Sequence, residues 1–194
     1  MISEKILVVE TKTLFPNETY SGFMQGNFDY YTHKIIDHSK FLDRSFAETD
    51  PTHKQIIPYL VFMHEGNVFM MQRAASAGEQ RLKNKLTLGI GGHIREEDFN
   101  LAPSMLAWAQ REFHEEVDYK GTLTVKPLGI INDNSNSVGE VHAGFVYLLE
   151  GSTSHIKIKS ELKSGKLVSL AECKSRYEEF ERWSQFVIDQ LTTP

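Results

Sequence analysis

Gly89-Ile90-Gly91-Gly92-His93-Ile94, followed at a distance by Arg111-Glu112-Phe113-His114-Glu115-Glu116-Val117, decides how this chain folds and what it holds. Glu112 to Glu115 is a step of three and Glu112 to Glu116 a step of four, so a helix sets all three carboxylates on one face. Like charges placed this way repel by roughly a few tenths of a kcal/mol per pair. They also stand near the C-terminal end of the helix, where the macrodipole disfavours negative charge. A hard divalent cation, Mg²⁺ or Mn²⁺, would relieve the repulsion, since carboxylate oxygens are the ligands it prefers. A solvated acidic face with Arg111 paired to Glu115 accounts for the same residues. The glycines upstream lead a strand into a turn where positive φ and close approach to a ligand are open.

Around this segment, apolar periodicity sets out the other elements. A helix is expected over 103–117, with Pro103 in its first turn and Leu106, Ala109, Phe113 and Val117 facing the core. Upstream, 56–64 and 68–72 are β-branched and aromatic and flank Glu65-Gly66-Asn67, which predicts a hairpin. A polar, basic loop over 74–85 leads to a short strand at 86–90. Downstream, strands are expected at 123–131 and 141–149 with a polar loop between them, and weaker strands at 156–159 and 166–170. An amphipathic helix over 172–191 closes the pattern, with Tyr177, Phe180, Trp183, Phe186 or Val187, and Leu191 on its apolar side. Residues 1–50 form an N-terminal extension packed on a main domain of 51–194. The extension holds a strand at 5–10, an aromatic stretch at 15–31, and a weak helical pattern at 31–46 carrying Ile35, Ile36, Phe41 and Leu42.

Composition limits the function classes. The 194 residues, 40% apolar, can bury a core, and the net charge of -5 gives no attraction to nucleic acid or an anionic membrane. Cys173 is the single cysteine, which excludes an internal disulfide and a cysteine-based zinc site, and is consistent with a reducing cytoplasm. With no signal-peptide pattern and no apolar run of the ~20 residues a membrane helix needs, a cytoplasmic location is expected.

Gly92, Arg111, Glu112, Glu115 and Glu116, in this order, resemble the signature of the Nudix hydrolases. That signature runs Gly, five residues, Glu, seven residues, then Arg-Glu-apolar-x-Glu-Glu-x-Gly-apolar. The succession of hairpin, glycine turn, acidic helix, later strands and terminal helix is similar to the family over roughly 140 residues. Three positions depart from it. Asp98 stands for the first Glu, twelve residues separate Asp98 from Arg111, and Asp118 stands for the late Gly, where a left-handed residue could end the helix. The resemblance implies an α/β fold, a mixed β-sheet sandwiched between α-helices. It implies hydrolysis of a phosphoanhydride in a small phosphorylated metabolite, such as a nucleoside diphosphate derivative.

Under this resemblance Glu112, Glu115 and Glu116 hold the metal, and Arg111 orients them by ion pairing. Glu116 or Glu140 serves as base, with Glu115 also in the catalytic group. Glu140 and His142 are two apart on an expected strand and share a face there. Arg73, Gly91, Gly92, His93 and His142 are the substrate-binding candidates, although His93 could equally pack structurally. The basic residues Arg81, Lys83 and Lys85 precede the glycine turn. Two rivals stand beside this reading. Isopentenyl diphosphate isomerases share the scaffold but need a cysteine near the glycine turn, where this chain has Thr87-Leu88-Gly89-Ile90-Gly91-Gly92. A sensor domain without turnover would not need the repelling carboxylates. Specificity is assigned to residues 1–50, 98–102 and 132–139. A homodimer through the aromatic extension is a reasonable assembly.

Overall fold

A computed structural model describes residues 4–16, 20–73, 85–101, 104–159 and 162–193. The chain is α/β. Strand β1 is Lys5–Glu10 and helix α1 Thr11–Leu14; β2 (Gly22–Met24), α2 (Phe28–His38), β3 (Lys40–Asp43) and α3 (Arg44–Ala47) follow. The long β4 (His53–His64) and β5 (Asn67–Arg73) precede the short β6 (Leu86–Thr87) and β7 (Gly89–Gly91). Then come α4 (Glu96–Leu101), α5 (Met105–Glu116), β8 (Val117–Tyr119), β9 (Leu123–Asn132) and β10 (His142–Gly151). Strands β11 (Ile156–Ile158) and β12 (Leu162–Ser169) lead to α6 (Leu170–Ser175) and α7 (Arg182–Thr192). Among the described residues, ten strands belong to one large sheet in which β12, β5, β4, β10, β9 and β2 are successive neighbours. Strands β8 and β11 make a separate antiparallel pair.

The residues group into two compact units, each built from three chain segments. The first comprises Met1–Tyr59, Gly91–Gln110 and Pro127–Val146. Here β1 pairs with β3 (Leu7 opposite Phe41) and with β4 (Val8 opposite Gln55), and β2 pairs with the end of β9. Ile6, Val8 and Ala47 make an apolar cluster against Leu42. The helical pattern expected over 31–46 divides at Ser39. Phe41 and Leu42 lie in β3, where pairing with β1 outweighs their helical spacing. The loop expected at 98–102 is in part helix α4. Asp98 accepts the Arg95 backbone N–H at 3.0 Å, so the third helical residue reaches back to the residue before the helix, as in a capping box.

The second unit comprises Leu60–Ile90, Arg111–Lys126 and Tyr147–Pro194. Its hairpin joins β4 and β5 through two residues, Glu65 and Gly66, both at positive φ, with His64 opposite Asn67. That is the tight turn whose twist matches the strands on either side. Phe62 lies among Phe69, Phe113 and Tyr119 with ring centroids 6.4, 6.2 and 5.0 Å away, and burying such a side chain contributes about 1.5–3 kcal/mol. The single helix expected over 172–191 is broken into α6, a 3-10 turn at Tyr177–Glu179 and α7. The break comes where Phe180 bridges to Leu86 and the Glu181 N–H donates to the Leu86 carbonyl, so a sheet-type contact replaces a helical turn.

Helix α5 begins after Ser104, whose hydroxyl accepts the Ala107 N–H at 3.4 Å, and ends at Glu116. The buried stripe runs Met105, Trp108, Ala109, Glu112 and Phe113, the i, i+3, i+4, i+7, i+8 pattern of one helix face. Leu106 was expected on the core side but is 40% exposed, one position off that stripe. Pro103 and residues 74–84 of the loop expected over 74–85 lie outside the described residues.

Candidate active site

In the second unit the acidic helix turn is built around Arg111. Its guanidinium forks, donating from Nη2 to Glu112 Oε1 at 2.6 Å and from Nη1 to Glu115 Oε2 at 2.9 Å. Glu112 stands on the core-facing stripe and is nearly buried, while the Glu115 side chain is 51% exposed. A buried carboxylate needs a charged partner, and Arg111 supplies one. The helix ends by a route the sequence did not show. Lys159 donates its backbone N–H to the Glu116 carbonyl at 2.8 Å and its ammonium to the His114 carbonyl at 2.9 Å. Cationic and N–H donors thus satisfy the last-turn carbonyls. Asp118 does not adopt a left-handed conformation; it continues directly into β8, opposite Lys157 of β11.

The three carboxylates fit a hard divalent cation in donor chemistry and in helix register. Among the described residues, however, no group of three His, Cys, Asp or Glu side chains is drawn together closely enough to hold an ion. Gathering these three onto one ion requires Glu112 and Glu115 to turn from the Arg111 fork.

The first unit holds the candidates Gly91, His93, Glu140 and His142, and with them a lysine the sequence did not single out. Lys54 is fully buried and donates to Asn134 Oδ1 at 2.7 Å and to the Gly139 carbonyl at 2.8 Å. It ties together the two ends of the loop before Glu140. Burial pushes its ammonium down to about 8, and the charges of Asp133 and Glu140 partly restore it. Glu140 is exposed and lies in a 3-10 turn, Gly139–Val141, not on the strand; β10 begins at His142. The expected shared strand face of Glu140 and His142 is therefore corrected. The Asn136 carbonyl accepts the Glu140 N–H and folds the loop into a turn.

His142 donates from Nδ1 to the Val138 carbonyl at 2.6 Å, and its ring lies 5.6 Å from that of His93. Gln55 donates its amide N–H to the Ala47 carbonyl, so its Oε1 accepts the His93 Nε2–H at 2.8 Å. Burial, with Arg44 and His142 nearby, pushes His93 down to about 3 and leaves it neutral. His142 is lowered as well, chiefly by burial. Gly91 and Gly92 do not use positive φ. Gly91 is set by close packing: a Cβ there would stand 3.0 Å from Ile57 Cγ2 and 3.1 Å from the Pro58 carbonyl, which would have to give by a few tenths of an ångström. Asp98 is buried, and its backbone carbonyl accepts the Trp108 indole N–H at 3.1 Å.

Of the basic cluster, Lys85 donates to the Glu178 carbonyl at 3.0 Å. The Arg73 side chain and all of Arg81 and Lys83 lie outside the described residues. Cys173 is buried in α6 with its thiol pushed up to about 11, which leaves it unreactive. Lys54 escaped the sequence because a polar residue at the head of an apolar strand reads as its solvated start.

No protein-family model matches the chain. Protein YmaB of Bacillus subtilis is 40% identical over 157 residues, covering 76% of this chain and 76% of its own. The crystal structure of Tm1382, which carries a provisional Nudix hydrolase designation, superposes with a TM-score of 0.82 at 33% identity, over 97% of this chain and 98% of that one. A bifunctional NMN adenylyltransferase/ADP ribose pyrophosphatase from Francisella tularensis, complexed with AMP and a Mn ion, shares the fold. Its TM-score is 0.54 at 17% identity, over 71% of this chain and 41% of that one. The chain belongs to the Nudix hydrolases, enzymes that cleave pyrophosphate bonds. Among the described residues no helix is long and apolar enough to cross a membrane.

Proposed function

We propose that this Nudix protein is a metal-dependent hydrolase of a phosphoanhydride in a small phosphorylated metabolite, a nucleoside diphosphate derivative. The observation that carries the reading is the last turn of α5. There three carboxylates stand at i, i+3 and i+4 with one arginine forked between two of them. Glu112, Glu115 and Glu116 would hold Mg²⁺ or Mn²⁺. Bound there, the ion supplies neutralisation of the diphosphate and a water of lowered pKa. Arg111 keeps the Glu112 charge soluble in a nearly buried position and orients Glu115. Glu116 or Glu140 takes the proton from the attacking water. Gly91 lets the backbone pass close to β4, and Gly92, His93, His142 and Arg73 are the remaining candidates for holding substrate. Fold neighbours named for ADP-ribose, including the Nudix domain of Shewanella oneidensis NrtR complexed with ADP ribose, make that molecule the first compound to assay.

The test is phosphate or nucleotide release from a panel of nucleotide sugars, dinucleoside polyphosphates, coenzyme A and NAD-type compounds, with and without Mg²⁺ or Mn²⁺. Glu116→Gln keeps size and helix propensity and removes one repelling charge. Apo stability should hold or rise slightly while turnover falls about a hundredfold or more. A folded Glu116→Gln protein with full activity overturns the assignment.

A further inference from the structure

Glu116 is the last residue of α5 and Val117 the first of β8, so the helix passes straight into a strand. The last carbonyls of a helix have no donor within it. A left-handed glycine commonly supplies donors by turning the chain back on itself, but Asp118 stands in the place of that glycine and is extended in β8. The donors come instead from β11, in the same unit. Ile156, Lys157 and Ile158 pair with Tyr119, Asp118 and Val117, so the next residue of the ladder, Lys159, falls beside Glu116. Its backbone N–H donates to the Glu116 carbonyl at 2.8 Å, and its ammonium reaches back to the His114 carbonyl at 2.9 Å.

These two carbonyls bracket Glu115, so the turn that carries Glu115 and Glu116 is clamped at both ends by one residue. Glu112 and Glu115 must leave the Arg111 fork to meet an ion, which moves their side chains. A wound backbone beneath them keeps the three carboxylates on one face through that rearrangement. The turn is poorly placed to stay wound unaided. Its like charges repel one another, and they stand at the negative end of the helix dipole. A lysine answers both difficulties, as a cation at the C-terminal end of a helix and as a donor to its carbonyls.

We infer that Lys159 is a positioning residue of the metal site proposed above, holding the last turn of α5 through the His114 and Glu116 carbonyls so that Glu115 and Glu116 meet a divalent cation on the same face as Glu112. The role rests on that reading of the three carboxylates. Two effects of the lysine oppose one another, and their sum has a sign. As a nearby positive charge it repels the cation. As a clamp it raises the fraction of molecules whose turn is ready to bind, and apparent affinity rises with that fraction. Lys159 is exposed, so repulsion through solvent is weak and the clamp prevails.

The test needs no substrate; Mn²⁺ alone is the probe. It is titrated into the metal-free full chain at a temperature where every variant is folded, and the free ion is read by electron paramagnetic resonance. The wild type should bind Mn²⁺ and Glu116→Gln should bind it more weakly. Lys159→Met should raise the Kd about threefold or more, while Lys159→Arg, which keeps a cation and its N–H donors, should stay within about twofold of the wild type. Lys159→Gln takes the place of Lys159→Met should that variant not fold. Lys157→Met is the control: it removes an equal charge from the residue opposite Asp118 and should leave the Kd unchanged or lower it. In the metal-free protein, amide hydrogen exchange at Glu115 and Glu116 should quicken in Lys159→Met and not in Lys157→Met. An unchanged or lower Kd in Lys159→Met overturns the inference alone, since the lysine would then act only as a surface charge. Unchanged exchange in Lys159→Met, or equal weakening by Lys157→Met, overturns it too. No Mn²⁺ binding by the wild type, or binding indifferent to Glu116→Gln, would overturn the metal site itself and the inference with it.

Discussion

Replacing Lys54 with Met tests the buried lysine that secures the loop before Glu140. The ammonium is fully buried and its pKa is about 8, against 10.5 for a solvated lysine. At about 1.4 kcal/mol per pH unit, holding it charged costs about 3 kcal/mol at pH 7. Its hydrogen bonds to Asn134 Oδ1 and the Gly139 carbonyl, at about 1.5–3 kcal/mol each for a charged donor, offset or exceed that cost. Lys54→Met removes both contributions, so at pH 7 it should destabilise by about 0–3 kcal/mol. The pH dependence is the sharper readout. The folded value is depressed, so between pH 8 and 10.5 the unfolded chain binds the proton more tightly, and stability rises with pH. Lys54's contribution is most favourable above 10.5 and is lost as pH falls through about 8. From pH 7 to 9.5 the wild-type protein should gain about 2 kcal/mol from this group, and the variant should gain none of it. Urea unfolding of both proteins at the two pH values measures the difference. A stability gap that stays constant or narrows on raising the pH would refute the account of Lys54 as a charge held against its burial cost.

Three further outcomes are expected. His93 is neutral with a folded pKa of about 3, so protonation of the unfolded chain should erode stability as pH falls below 6.5; with the ring partly exposed, the loss from pH 7.5 to 5 should be about 1–2 kcal/mol and should be absent in His93→Gln, as read by denaturant midpoints. Gly91→Ala presses a methyl group against Ile57 and the Pro58 carbonyl and should cost about 1–3 kcal/mol; an unchanged melting temperature would show that β4 yields without strain. Asp98→Ala removes the acceptor for the Arg95 N–H and should cost about 1 kcal/mol, a fall in Tm of about 2–4 °C by calorimetry, with no such fall if solvent takes over the cap.

The sequence by itself determined the elements whose signals are local. The hairpin around Glu65-Gly66, β1 at Lys5–Glu10 and the acidic helix follow from turn chemistry and periodicity, which act between residues a few positions apart. Helical spacing also settled that Glu112, Glu115 and Glu116 share a helix. Tertiary structure decided everything that depends on partners distant in the chain. Leu106 and Trp108 both suit an amphipathic helix, and packing chose Trp108 for the core. Phe41 and Leu42 changed from helix to strand because β1, more than thirty residues away, offered a ladder. The long C-terminal helix broke at Phe180 because Leu86 competes for its backbone. Glu140 left the strand for a turn because Lys54, some eighty residues earlier, draws Asn134 and Gly139 together. Lys54 itself became a buried charge by the same contact. A pattern of apolar residues can state which side chains avoid water, but only the assembled chain supplies the donors and acceptors that let a polar one join them.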